Sequence, residues 1–134
     1  MKRLQRLAVL VWASPYSAIG CSIGLVGLAT GGGAQRRDGI LEFYGGFTRW
    51  VVRHSPLGEC CAAITLGHTV IGQTVEMLDF AHDHELVHVR QFERWGPMMG
   101  PAYLGCSIAL WLTGKRAYLD NPFEKEAYSN EPLV

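Results

Sequence analysis

His84, Glu85 and His88 are the residues whose types and spacing could do chemistry. They form His-Glu-Leu-Val-His, residues 84–88, the H-E-x-x-H pattern. On an α-helix, residues four apart lie one turn above each other. His84 and His88 can therefore share one metal ion through imidazole nitrogens at roughly 2.0–2.1 Å. Glu85 is rotated off that line. It is badly placed as a ligand but can reach a water held by the metal. With five histidines and eight glutamates in the chain, chance gives this pattern in about one such sequence in a hundred. The competing explanation is a surface helix carrying two unrelated histidines.

The element that must position these residues reads as a helix. Asp79 or Asp83 can cap its start, and Gly96-Pro97 is a strong stop. His84, His88, Gln91 and Trp95 fall on one face at steps of four, three and four. Phe80, Val87 and Phe92 add apolar bulk, so the helix is expected to be substantially buried, with Gln91 supporting the histidines or packing beside them. Ahead of it, Ile40–Tyr44 reads as a short strand. Phe47–Val52 reads as a strand or an interfacial helix. Ala62–Gly72, rich in Thr, Val and Ile, reads as one strand with a bulge at Gly67. A strand just ahead of the motif helix suits a peptide cleft, because an extended substrate can pair with its edge. Gly31-Gly32-Gly33 reads as a flexible join. His68, in its apolar strand, reads as a packed histidine.

A catalytic zinc takes three protein ligands and keeps one open position. Glu93 lies on the far side of the motif helix, and Asp79 and His82 are awkwardly placed. The carboxylates near the C-terminus remain. Asn121 can cap a short helix with Pro122 in its first position, and that helix carries Glu124 and Glu126.

The chain has 134 residues, enough for one domain. Its formal charge is zero, with twelve basic and twelve acidic residues and no basic patch, so nucleic acid is not an expected partner. Charged residues make up 18 %, below the usual figure of about 25 %. Mean hydropathy is slightly positive. Leu7–Thr30 is an uncharged run of 24 residues, long enough for a hydrocarbon core of about 30 Å. It reads as a bent transmembrane helix, a hairpin broken at Pro15, or a signal peptide. Its length and the lack of an A-x-A site favour membrane insertion. Gly20, Gly24 and Gly27 form a small-residue stripe of the kind that packs helices in membranes. A second uncharged run, Trp95–Gly114, has a helical core too short to span comfortably. Cys21, Cys60, Cys61 and Cys106 contain no C-x-x-C pair, and no disulfide framework is expected.

His84-Glu85-Leu-Val-His88 followed by a helix with Glu126-Ala127 resembles the gluzincin metallopeptidases, the thermolysin-like group and its minimal relatives, over roughly residues 79–130. The resemblance implies His84, His88 and Glu126 as zinc ligands, with Glu85 as general base; Glu124, two residues away, faces elsewhere on the helix, so only one of the pair should bind, with Glu126 preferred and Glu124 the alternative. Two features differ from that family. Asn130 stands where many members have an aspartate four residues after the ligand glutamate. No histidine follows His88, so Tyr118 or Tyr128 would have to serve as transition-state donor. The expected architecture is α+β. It comprises an apolar membrane segment over residues 1–34, a zincin-like domain over residues 35–134 with short strands before the motif helix, and further apolar membrane-associated helices. The expected function is a membrane-associated, Zn2+-dependent peptide hydrolase acting on a peptide or protein substrate. A second expectation is a non-catalytic membrane protein with a structural metal whose fourth position is closed by His82, His68 or Glu124. A third is a small membrane protein without metal.

Overall fold

A computed structural model describes residues 2–56 and 58–129. The elements run α1 (Lys2–Trp12), α2 (Ser14–Ala29), β1 (Gly33–Arg37), β2 (Ile40–Tyr44), α3 (Gly46–Arg53), β3 (Ala63–Leu66), β4 (Thr69–Gly72), α4 (Val75–Trp95), α5 (Met99–Leu112) and α6 (Pro122–Ser129). Short 3-10 turns cover Gly58–Cys60 and Gly96–Met98. The architecture is α+β. Asn130 lies outside the described residues.

Four strands form one mixed sheet in the order β1-β2-β4-β3. β1 and β2 are an antiparallel hairpin turned by Asp38 and Gly39, both at positive φ (52° and 76°). That backbone matches the twist of the flanking strands, and Asp-Gly supplies it readily. Gly33 therefore opens a strand rather than a flexible join. β2 and β4 run parallel, and β3 and β4 are antiparallel. The Ala62–Gly72 run is thus two strands, not one. Gly67, at φ 65°, makes the turn between them instead of a bulge. β3 is left as an edge strand.

Alternation along the strands feeds two cores. Ile40 and Val70 point to one face with Leu78, Ala81 and Val89, three residues of α4. Phe43 and Ile71 point to the other face, where Val52 of α3 and half-buried Cys21 and Ile23 of α2 meet them. Phe47–Val52 accordingly lies within a helix, α3. A third cluster, formed by Ala13, Phe92, Met99 and Phe123, joins the helices at one end.

The glycine stripe on α2 has its partner within the chain. Gly20, Gly24 and Gly27 are buried. A Cβ at Gly20 would come within 2.8 Å of Thr69 Cβ, one at Gly24 would strike the Phe43 ring, and one at Gly27 would strike the Thr48 hydroxyl. The stripe seats α2 on β2, β4 and α3. Among the described residues, no single helix is long and apolar enough to cross a membrane. The pair α1 and α2, bent by 67°, passes by length and composition. The bend falls at Ala13, with Pro15 in the first turn of α2. All four cysteines are free thiols.

The motif helix begins four residues before Asp79. Thr74 caps it, its hydroxyl accepting from the Met77 N–H at 3.2 Å, so neither Asp79 nor Asp83 is the cap. Asp79 instead pairs with Arg37. Gly96, at φ 54°, ends the helix where expected. Val87 and Phe92 are buried, whereas Phe80 is exposed and adds nothing to the core.

Candidate metal centre

α4 presents His84, Glu85, His88 and Gln91 as a buried polar face in the middle of an otherwise apolar packing. Opposite them lies α6. Asn121 starts that helix as expected: its Oδ1 accepts from the Phe123 N–H at 3.0 Å. Its Nδ2 donates to the Tyr103 carbonyl at 3.1 Å and to the Ser107 hydroxyl at 2.9 Å, tying α5 to α6.

Glu124 and the two histidines converge. His84 Nε2 lies 3.0 Å from Glu124 Oε2, His88 Nε2 lies 3.1 Å from Glu124 Oε1, and the two Nε2 atoms are 3.2 Å apart. A tetrahedral site with arms of about 2.0–2.1 Å has ligand atoms about 3.3–3.4 Å apart, so the triangle is close to metal-ready. Its electrostatics point the same way. His88 Nδ1 donates to Gln91 Oε1 at 2.8 Å, which directs the other nitrogen, Nε2, toward the carboxylate and the second imidazole. Two lone pairs and a carboxylate cannot share so small a buried space without a cation or protons among them.

The protonation preferences express this demand. For His88, burial opposes the charged form. The hydrogen bond to Glu124, the nearby charges of Glu85 and Glu124 and the bond to Gln91 outweigh it, raising the pKa to about 9. His84 is raised in the same way against its own burial, mainly through Glu124 and Glu85. Burial works against ionised Glu124 too, but hydrogen bonds from His84, His88 and Tyr103 hold it down to about 2. His84, His88 and Glu124 are the set of ligating groups among the described residues that could hold a metal ion. Two imidazoles and one carboxylate suit zinc and other first-row divalent metals.

Glu126 is not in this group. Its Oε1 accepts from Gln91 Nε2 at 3.0 Å and pairs with Arg94. The carboxylate that stands with the two histidines is Glu124, not the expected Glu126. Both residues flank the buried Phe123–Ala127 ridge of α6, and the way α6 crosses α4 sends Glu124 to the histidines and Glu126 to Gln91. Gln91 Nε2 also donates to the Phe123 carbonyl at 2.9 Å, so Gln91 holds His88 and α6 together, a role its spacing had suggested.

Glu85 sits beside the triangle. Thr65 of β3 donates its hydroxyl to Glu85 Oε2 at 2.5 Å. Burial raises the Glu85 pKa, partly countered by His88, Thr65 and His84. Tyr103 of α5 donates its hydroxyl to Glu124 Oε1 at 2.8 Å. Sequence reading passed over Thr65 and Tyr103, since a threonine in a strand and a tyrosine in an apolar helix carry no local signal. Tyr128 packs its ring edge-on to His84 at 4.5 Å between centroids, and its hydroxyl lies 3.1 Å from that of Tyr118. Burial first, and then the Tyr128 hydrogen bond, keep the Tyr118 hydroxyl protonated far above the usual phenol range.

The histidines proposed to close a structural site are elsewhere. His68 Nε2 lies 3.1 Å from Glu93 and His82 Nε2 lies 2.7 Å from Asp38. In front of the triangle a cleft of about 490 Å³ opens between β3, α5 and the segment before α6, with Ile64, Leu66, Phe92, Met99 and Leu104 among its walls. Comparison with protein-family models, curated proteins and solved structures finds no match.

Proposed function

We propose that the chain is a zinc-dependent peptide hydrolase of zincin type, with His84, His88 and Glu124 as ligands and Glu85 as general base. One observation carries this reading: three buried ligating groups stand 3.0–3.2 Å apart at the wall of an open cleft, with a fourth carboxylate beside them. A bound zinc ion supplies Lewis acidity, polarising a carbonyl and lowering the pKa of a coordinated water to about 7. Glu85, held by Thr65, receives the proton of the attacking water and returns it to the leaving amine. Gln91 and Tyr103 fix the orientation of His88 and Glu124. β3 is an edge strand that lines the cleft, so an extended peptide is the substrate its backbone suits. Among the described residues no further ligating group joins the three, and His68 and His82 are engaged elsewhere, so a bound metal would keep room for water or substrate, which favours catalysis over a closed structural metal.

Metal analysis and a peptide-library cleavage assay test this together. The expected result is about one zinc per chain, lost in His88→Ala and in Glu124→Ala. Glu85→Gln should retain the metal and lose cleavage. Wild-type protein that takes up no metal after loading sinks the proposal. Metal bound in full, with cleavage absent from both wild type and Glu85→Gln, replaces it with the structural-metal reading.

A further inference from the structure

We propose that the protein docks in the plane of an anionic lipid bilayer through α1 and the exposed apolar face of α5, rather than crossing the bilayer. α1 has no buried residue. Leu4, Leu7, Val11 and Trp12 recur at helical spacing and are 71, 57, 70 and 47 % exposed. With Pro15 and Pro97 they line an apolar groove on the outside of the molecule. Lys2, Arg3 and Arg6 occupy the opposite flank of the same helix, the arrangement of an interfacial helix. An eleven-residue helix is about 16 Å long, half of what a span needs. The inner face of α2 is already filled by the sheet, so α2 is seated within the domain rather than left to continue across a bilayer.

Charge selects the occupant. The first 36 residues hold four basic side chains (Lys2, Arg3, Arg6, Arg36) and no acidic one, although the whole chain is neutral. Anionic headgroups complement that asymmetry. A second copy brings the same basic side chains on its own α1 and no acidic group there to complement them. α5 offers a second exposed apolar face. It carries no charged residue, exposes Leu104, Ile108, Trp111 and Leu112, and is followed by Lys115 and Arg116. Exposed Trp12 and Trp111 suit the headgroup level.

The α1 groove and the cleft adjoin where Pro15 is followed by Tyr16 of α2. Tyr16, which lines the cleft, donates its hydroxyl to the Pro97 carbonyl at 2.7 Å and accepts from the Gly100 N–H at 3.0 Å. Docking through α1 therefore brings one wall of the cleft to the bilayer surface. If the cleft cleaves peptides, as proposed above, its substrates are segments lying at that surface. Only this consequence rests on the peptidase reading; vesicle binding needs neither metal nor cleavage.

The test is co-sedimentation of the full chain with vesicles of phosphatidylcholine, alone or mixed with phosphatidylglycerol. Binding should be stronger to the mixed vesicles and weaken with salt. Lys2→Gln with Arg3→Gln should lower partition to mixed vesicles about 30-fold at low salt. Leu7→Glu with Val11→Glu should abolish binding to both kinds. None of these positions is buried, and circular dichroism checks that each variant stays folded. Four outcomes overturn the proposal: wild type left in the supernatant with both vesicles; folded variants that bind like wild type; a fragment protected from externally added protease on reconstituted vesicles, which means a span; and a vesicle-indifferent dimer broken by Leu7→Glu, which assigns the groove to a second copy.

Discussion

Glu124 and Glu126 stand about 80° to either side of the ridge made by Phe123 and Ala127, since each helical residue turns about 100°. One faces an imidazole pair and the other faces an amide and a guanidinium. Their substitution should therefore differ in kind. Glu124→Ala removes a proposed ligand and leaves two histidines, so zinc affinity should fall by more than about a thousandfold. Gln91→Ala frees the His88 ring and should cost about 10–100-fold, the usual effect of a group that orients a ligand. Glu126→Ala acts one step further out, through Gln91, and should cost less than about tenfold. Competition with a chromophoric chelator measures all three, and a loss in Glu126→Ala matching that in Glu124→Ala would refute the assignment. Thr65 offers a second contrast. Its hydroxyl donates to Glu85 and favours the ionised carboxylate. Thr65→Val should move the acidic limb of the kcat/KM profile to higher pH, with metal content unchanged. A profile that keeps its limb while falling uniformly would mean that Thr65 serves only packing.

At the scale of elements, the decisive contact is α2 on the sheet. Gly24 lies directly over the Phe43 ring. On a free helix, Gly→Ala stabilises by about 1 kcal/mol. Here the added methyl group strikes an aromatic ring in a closed core, and overpacking costs about 1–3 kcal/mol. Gly24→Ala should thus lower stability in urea denaturation despite alanine's propensity. A gain in stability would show that α2 does not lie on β2 in solution. The same contact shows what the sequence could and could not tell. The stripe of Gly20, Gly24 and Gly27 was legible as a close-packing surface, but a helix seat and a sheet seat look identical in one dimension, and the partner was misassigned to other membrane helices. α6 and the end of α4 were legible because a cap and a stop are local, and β2 because Ile40–Tyr44 is a short apolar and aromatic run; the start of α4 was not, since Thr74 caps it. β1 was missed although Asp38-Gly39 marks its turn, because the three glycines before it suggested a join. The choice of Glu124 over Glu126 was not legible at all. Both satisfy the same helical pattern, and the angle at which α6 crosses α4 decides between them.

At the scale of the whole molecule, the site is where α4, α5, α6 and β3 are held together by charge, so the stability of the fold and the occupancy of the site are coupled through protons. His88 is raised from 6.5 to about 9, so its contribution to stability is complete below pH 6.5 and is lost as pH rises through 9. Glu124 is lowered from 4.5 to about 2, so its contribution is present above pH 4.5 and is lost as pH falls through 2. Glu85 is raised above 4.5, so its contribution falls as pH rises from 4.5, in the same direction as that of His88. Chelator-treated protein should therefore be most stable between about pH 4.5 and 6.5, with Tm declining towards pH 9. Zinc needs the unprotonated imidazoles, so binding must expel the proton that His88, raised to about 9, holds at neutral pH. Its affinity, and with it the stabilisation it confers at fixed free metal, should rise over the interval in which the chelator-treated protein weakens. Thermal melts at a series of pH values, with chelator and with buffered zinc, should give two curves that separate as pH rises from 6 to 9. Curves that run parallel would mean that zinc and protons do not compete for the same nitrogens, and the triangle of His84, His88 and Glu124 would not be where the metal binds.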